Sequence, residues 1–230
     1  MSIVCETYQF RPEEFARAVA PYITALKENE RDECRLLSKS VVDLFESDPK
    51  VEKISLEFGS WDTVEVRKAV AEDLLSQRYI GWMLSLLLYG EFLNVKSDII
   101  GGYNKTTMLG QYLQTIGWTE YETSLLIRGR DFTEFARKYI YLNEGPETIP
   151  DYWNHVYPMS TAAEEGWLDT PDVKKLATKL IEDEKKLSST GIPAIADFNL
   201  EWALKSYQDT KRAYLKALEA GCGLCIICSG

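Results

Sequence analysis

The β signal is strongest at the two ends of the chain. Over residues 2–10, Ile3, Cys5 and Thr7 lie on one parity and Val4, Tyr8 and Phe10 on the other. This run of β-branched and aromatic residues predicts a short strand. Leu224, Cys225, Ile226, Ile227 and Cys228 predict a second one beyond the Ala220-Gly221 turn. A lone strand leaves its amides and carbonyls unmet. Pairing the two strands with each other meets that need most economically, with residues 53–58 as a candidate third strand.

Between them the apolar residues recur at helical spacing. Pro12, Glu13 and Glu14 mark a helix start, since proline suits the first turn and acids suit the positive end of the dipole. Phe15, Val19, Tyr22, Ile23 and Leu26 give that helix its apolar face, and Pro21 is expected to kink or restart it. A second helix is expected over 31–47. A long one, capped by Ser60 or Asp62 and ending near Gly90, has a second half apolar nearly all round, which suits the centre of a domain.

Short helices follow at 106–116, 119–128 and 132–142. Thr119 and Asp131 stand at N-cap positions, and Gly117, Gly129 and Gly145 at C-cap positions. Thr170, Pro171 and Asp172 open a charged helix to Lys186. A last helix over 197–220 directs Leu200, Leu204, Tyr207, Tyr214 and Leu218 inward. The expected fold is mainly α: one domain over residues 1–230, with about eight helices and a small sheet in which the N- and C-terminal strands pair.

Composition narrows the function. With 230 residues, 45% of them hydrophobic, the chain can bury a sizeable core. Lys plus Arg number 26 against 36 Asp plus Glu, a net charge of −10, which disfavours general nucleic-acid binding. The longest apolar-dominated run, Ile80 to Gly90, falls short of the roughly 18 residues that span a bilayer. The N-terminal residues lack the pattern of a signal peptide. Five cysteines, an odd number, do not suggest a secreted disulfide framework and read as reduced thiols. A soluble cytoplasmic protein without membrane contact is expected.

Several clusters carry candidate chemistry. Cys222, Cys225 and Cys228 have a spacing that thiolate ligands use for zinc or an iron–sulfur cluster. No fourth cysteine lies close by, however, and a strand would turn Cys225 away from the other two. Buried structural thiols are the plainer reading, with a redox role or modification of this cluster as an alternative. Gly101 to Thr107, with Lys105, resembles a deviant phosphate loop, yet Tyr103 and Asn104 block close backbone approach and Val95 to Ile100 makes a poor buried strand. A glycine turn into a helix is expected there.

Arg128, Arg130, Arg137 and Lys138 form a basic cluster suited to carboxylates or phosphates. The plainer expectation pairs the arginines with Asp131, Glu134 and Glu120. Residues 149–158 hold Tyr152, Trp153, His155 and Tyr157 between prolines. This segment is either a contact surface for a ligand or partner, or a loop anchored on the core by Trp153 with Tyr152 or Tyr157 more exposed; the anchor is favoured. His155, the single histidine, is a weak candidate general base that would need an orienting carboxylate such as Asp151. Residues 146–200 carry ten acidic and five basic side chains.

No nucleophile-elbow, zinc-protease or calcium-loop pattern occurs, and no cofactor is implied. The sequence therefore points away from an enzyme. It reads as an intracellular, non-catalytic binding or regulatory protein, in the manner of an immunity- or antitoxin-like neutraliser of a basic partner. The alternative is a small-anion binder or enzyme built on Lys105, Arg128, Arg130 and the aromatic loop.

Overall fold

The two terminal strands do pair. In a computed structural model, β1 (Val4–Phe10) and β4 (Gly223–Ser229) form an antiparallel ladder running from Val4↔Ser229 to Phe10↔Gly223. The structure describes residues 4–28, 77–93, 95–143, 145, 148–156, 165–187 and 199–229. The helix expected over 31–47 and the third strand expected at 53–58 lie outside these residues. Among the described residues the fold is mostly helical, with seven α-helices and one four-stranded antiparallel sheet.

Two strands were not anticipated. β2 (Lys96–Gly102) pairs with the outer side of β1, and β3 (Glu165–Leu168) with the outer side of β4, giving the order β2-β1-β4-β3. The glycine turn expected at Gly101 and Gly102 is thus ladder, with these residues opposite Cys5 and Val4. Polar Ser97 and Asp98 hide the strand in the sequence, and partners from far along the chain make it viable. The Ser97 hydroxyl donates to the Ala213 carbonyl at 3.0 Å, and Lys216 donates to the Ser97 carbonyl at 3.0 Å. Where the β1–β2 register shifts after Thr7, the Thr7 hydroxyl donates to the Asp98 carbonyl and accepts from the Asp98 amide, which fills the gap in the ladder.

The chain divides into two compact units. The first comprises residues 1–10, 95–130 and 162–230, and holds the sheet with four helices: α3 (Tyr103–Thr115), α4 (Glu120–Arg128), α6 (Thr170–Leu187) and α7 (Leu200–Glu219). Their starts follow the expected chemistry. Thr119 and Glu122 complete a reciprocal capping box at α4, and Asn199 caps α7. Cys5, Leu168, Leu224 and Ile226 from one face of the sheet join Leu109, Leu113, Leu126 and Leu180 in a single apolar core.

Three tyrosines cross that core and meet helix carbonyls. Tyr112 donates to Leu187, Tyr207 to Leu180 and Tyr214 to Leu126. Leu187 and Leu126 lie in final helical turns, whose carbonyls lack partners within the helix. Burial pushes all three phenols above their usual range. The inward stripe of α7 is Ala203, Ser206, Tyr207, Thr210, Ala213, Tyr214 and Ala217. Leu204, expected inside, is exposed. Small residues alternating with tyrosines let α7 lie close to β2, which a stripe of leucines would prevent.

The outer side of β3 is closed by a bridge in which Arg130 and Trp167 exchange both backbone hydrogen bonds at 2.9 Å. Only glycine fits at 166, because a Cβ there would collide with the Arg128 and Arg130 carbonyls.

The second unit comprises residues 11–94 and 131–161. It contains α1 (Pro12–Glu28), α2 (Gln77–Leu87) followed by a π-helical turn at Leu88–Phe92, and α5 (Phe132–Tyr139), capped by Asp131. The helix expected to end near Gly90 therefore closes in a wider turn. α1 runs on through Pro21 without a restart. Pro21 is exposed, as is Arg17, whose carbonyl loses its helical partner on a side open to water. Phe15 gathers Phe92, Phe132 and Phe135 at centroid distances of 5.3, 6.5 and 5.3 Å.

Reduced thiols were expected throughout. Cys222 and Cys225 are buried thiols outside any disulfide, but Cys5 is disulfide-bonded.

Candidate functional site

The aromatic loop is built on a 3-10 turn, Asp151–His155, entered from Pro150 and leading to Val156. Trp153 is buried, stacked at tilted angles on Phe135 (5.7 Å) and Tyr152 (5.8 Å). Tyr152 is also buried, at 3% exposure against 1% for Trp153. Its hydroxyl meets that of Tyr141 at 2.8 Å, a partner that the linear order does not suggest. Burial, and then the Tyr141 hydrogen bond, push the Tyr152 phenol far above its usual range. The Lys27 ammonium sits 4.2 Å from the centre of the Tyr141 ring. Tyr157 lies outside the described residues.

The turn is clamped on α2. A Cβ at Gly81 would collide with the Tyr152 carbonyl and the His155 Cβ, so this contact of helix and loop depends on a missing side chain. Asn154, at the exposed side of the turn, is hydrogen-bonded to Asp151 (2.8 Å) and Thr133 (2.7 Å).

Serine, histidine and aspartate meet here, but not in catalytic order. His155 Nε2 lies 3.5 Å from Asp151 Oδ2, which supplies the orienting carboxylate that a general base would need. Ser85 is fully buried, and its hydroxyl bonds the Gly81 carbonyl at 2.9 Å and the His155 carbonyl at 3.4 Å. An activated serine would give its proton to the imidazole. Here that proton is directed to main-chain oxygens, and the hydroxyl helps fasten the turn to α2.

Arg128 and Arg130 belong to the first unit. Arg128 is exposed. Arg130 forks onto Asp172 through Nε (2.8 Å) and Nη2 (3.1 Å), with Tyr121 accepting a third bond at 3.3 Å. This carboxylate stands 42 residues away and is not one of the neighbouring acids that the sequence suggests. Lys105 lies near the start of α3.

The acidic segments serve the fold in the same way. Asp169 accepts from the Asp172 amide at the start of α6, Asp183 takes the Trp118 indole N–H at 2.8 Å, and Glu184 pairs with Lys211 at 2.7 Å. Asp98 gathers both Arg212 and Lys216. The sequence reading missed this cluster, although the i,i+4 spacing of the two cations on α7 is a visible sign of it. Cys225 stands opposite Tyr8 and Trp167 in the sheet, while Cys222 precedes the strand and donates to the Ala220 carbonyl at 3.3 Å. Among the described residues no three His, Cys, Asp or Glu side chains converge as metal ligands would.

No family model, curated protein or solved structure matches this chain. Its chemistry must be read from its own side chains.

One network has a clear pH signature. Glu122 receives the Lys179 ammonium at 2.6 Å and the Thr119 amide at 2.9 Å. These hydrogen bonds, Lys179 foremost, bring its carboxyl from 4.5 down to about 2. Asp98 moves the same way, chiefly through Arg212. A lowered folded-state value means that the unfolded chain binds more protons in that window. The stabilisation is then complete above about pH 4.5 and lost as the pH falls toward 2. Melting temperatures followed by circular dichroism should drop through this range, and Glu122→Gln should flatten part of the drop. Parallel curves for variant and wild type would remove Glu122 from the acid response.

Proposed function

We propose that this is a non-catalytic regulatory protein of the cytoplasm that binds a basic protein partner, in the manner of an immunity- or antitoxin-like neutraliser. What supports this reading is the fate of the cations. In the first unit Lys96, Arg130, Lys179, Lys186, Lys211, Arg212 and Lys216 are each matched by a carboxylate of the same unit. Matched pairs cancel at a distance, so the field around the molecule is set by its net charge of −10. Glu182, Glu201 and Glu219 are exposed on α6 and α7.

Such a field draws in a positive partner and orients it before contact. It repels nucleic acid, and it does not favour the small anions that the alternative reading requires. That alternative also loses Arg130, whose fork is engaged by Asp172. No described helix is long and apolar enough to cross a membrane.

The test is capture from lysate by the purified protein, followed by association kinetics with the captured protein. Enrichment of basic proteins is expected, with an association rate that falls at least about tenfold as salt rises to roughly 0.5 M, where screening shortens the reach of charge to a few ångströms. Capture of only neutral or acidic proteins, or a rate indifferent to salt, would refute the proposal.

A further inference from the structure

Cys5 lies fully buried in the central β1–β4 ladder and is disulfide-bonded, while Cys222 and Cys225 take part in no disulfide. Only Cys34 and Cys228 are left as partners for Cys5 in a chain of five cysteines. The ladder register decides between them, because Cys228 is the residue directly opposite Cys5. Facing residues of an antiparallel pair have Cα atoms about 4.5–5.5 Å apart, within the range that a disulfide bridges.

We propose that Cys5 and Cys228 form a reversible cross-strand disulfide, a redox latch that fastens β1 to β4 at the centre of the sheet. In closing, the two thiols give up two protons and two electrons to a disulfide oxidant such as glutathione disulfide, which leaves as two glutathione thiols. The bond that forms is Cys5 Sγ–Cys228 Sγ, and the bond that breaks is the S–S bond of the oxidant. Cys225 takes no part, since it lies on the other parity of β4 and faces Tyr8 and Trp167 in register.

Place in the ladder makes the latch workable. Cys5↔Cys228 is one rung inside Val4↔Ser229, at the ladder's end. Fraying of that rung, at the edge of the core that Cys5 shares with Ile226, brings the pair within reach of an oxidant or reductant while Leu224, toward the other end of the ladder, stays packed. The crosslinked residues are more than two hundred positions apart. Closing so long a loop restricts the unfolded chain strongly, while the native ladder already holds the two positions together. The latch thus sets how readily the first unit unfolds, with little change in its folded form.

The full chain would be equilibrated with glutathione disulfide or with dithiothreitol, then mapped by non-reducing proteolysis and mass spectrometry and melted in both states. A peptide pair containing Cys5 and Cys228 is expected in the oxidised sample only, with a melting temperature on the order of 10 °C above that of the reduced protein. Cys228→Ser should abolish the difference, and Cys225→Ser should keep it. A Cys5–Cys34 link, a disulfide between two molecules, Cys5 still free after oxidation, or equal melting temperatures would each overturn the proposal. Should Cys228→Ser fail to fold, the peptide map and melting curves of the wild type decide alone.

Discussion

Replacing Trp153 by alanine should lower the unfolding free energy by about 3–5 kcal/mol, the usual cost of truncating a buried aromatic. The indole is 1% exposed and is held between Phe135 and Tyr152, with the turn that carries it pressed onto Gly81. The neighbours cannot collapse into the vacated space, because Tyr152 is tied to Tyr141 and the backbone of the turn is tied to α2 through Ser85. For a chain of this length the melting temperature should fall on the order of 10 °C. Calorimetry of the variant measures this directly. A melting temperature matching the wild type, together with lost partner binding, would make the loop a contact surface and not an anchor.

Trp118 should give the second large effect. Its ring is 3% exposed, its N–H bonds Asp183 at 2.8 Å, and the Lys179 ammonium lies 4.4 Å from the ring centre. Asp183 is itself 3% exposed, so its carboxylate depends on the indole and on Lys186 for what water would otherwise supply. Trp118→Phe keeps most of the packing and removes the donor; it should cost about 1.5–3 kcal/mol, the range for a hydrogen bond to a charged group. Trp118→Ala should cost about 3–5 kcal/mol or more, since it opens a cavity as well. Urea unfolding of both variants separates the two contributions. A phenylalanine variant as stable as the wild type would mean that water reaches Asp183 and that the indole bond is dispensable.

The aromatic loop shows how far sequence could be read toward a site. Pro150 and Pro158 at its ends ruled out a long helix or strand, and the clustering of large rings favoured burial; the short turn that carries the buried Trp153 follows that logic. The polar partner of Tyr152 was not legible, because the Tyr141 hydroxyl arrives from the other side of the loop. Asp151 was visible as a potential partner of His155, and the two do meet. The buried Ser85, whose bonds turn this corner into a structural fastening, has nothing in its local sequence to connect it with residue 155.

What the sequence determined alone is the set of features whose cause is local. Alternating β-branched and aromatic residues made strands of the two ends, and their unmet backbone groups required a partner, which each found in the other. Thr119, Asp131 and Asn199 began helices because their side chains reach amides only three residues on. The tertiary structure decided everything that needs a distant group. β2 exists because α7 supplies partners for Ser97 and Asp98, and β3 because β4 and Arg130 flank four residues too few to announce themselves. Arg130 faces Asp172, and Cys5 faces Cys228, for the same reason. Such pairings depend on register and helix placement, and these are fixed only when the two faces of the sheet and the stripes of the helices bury together.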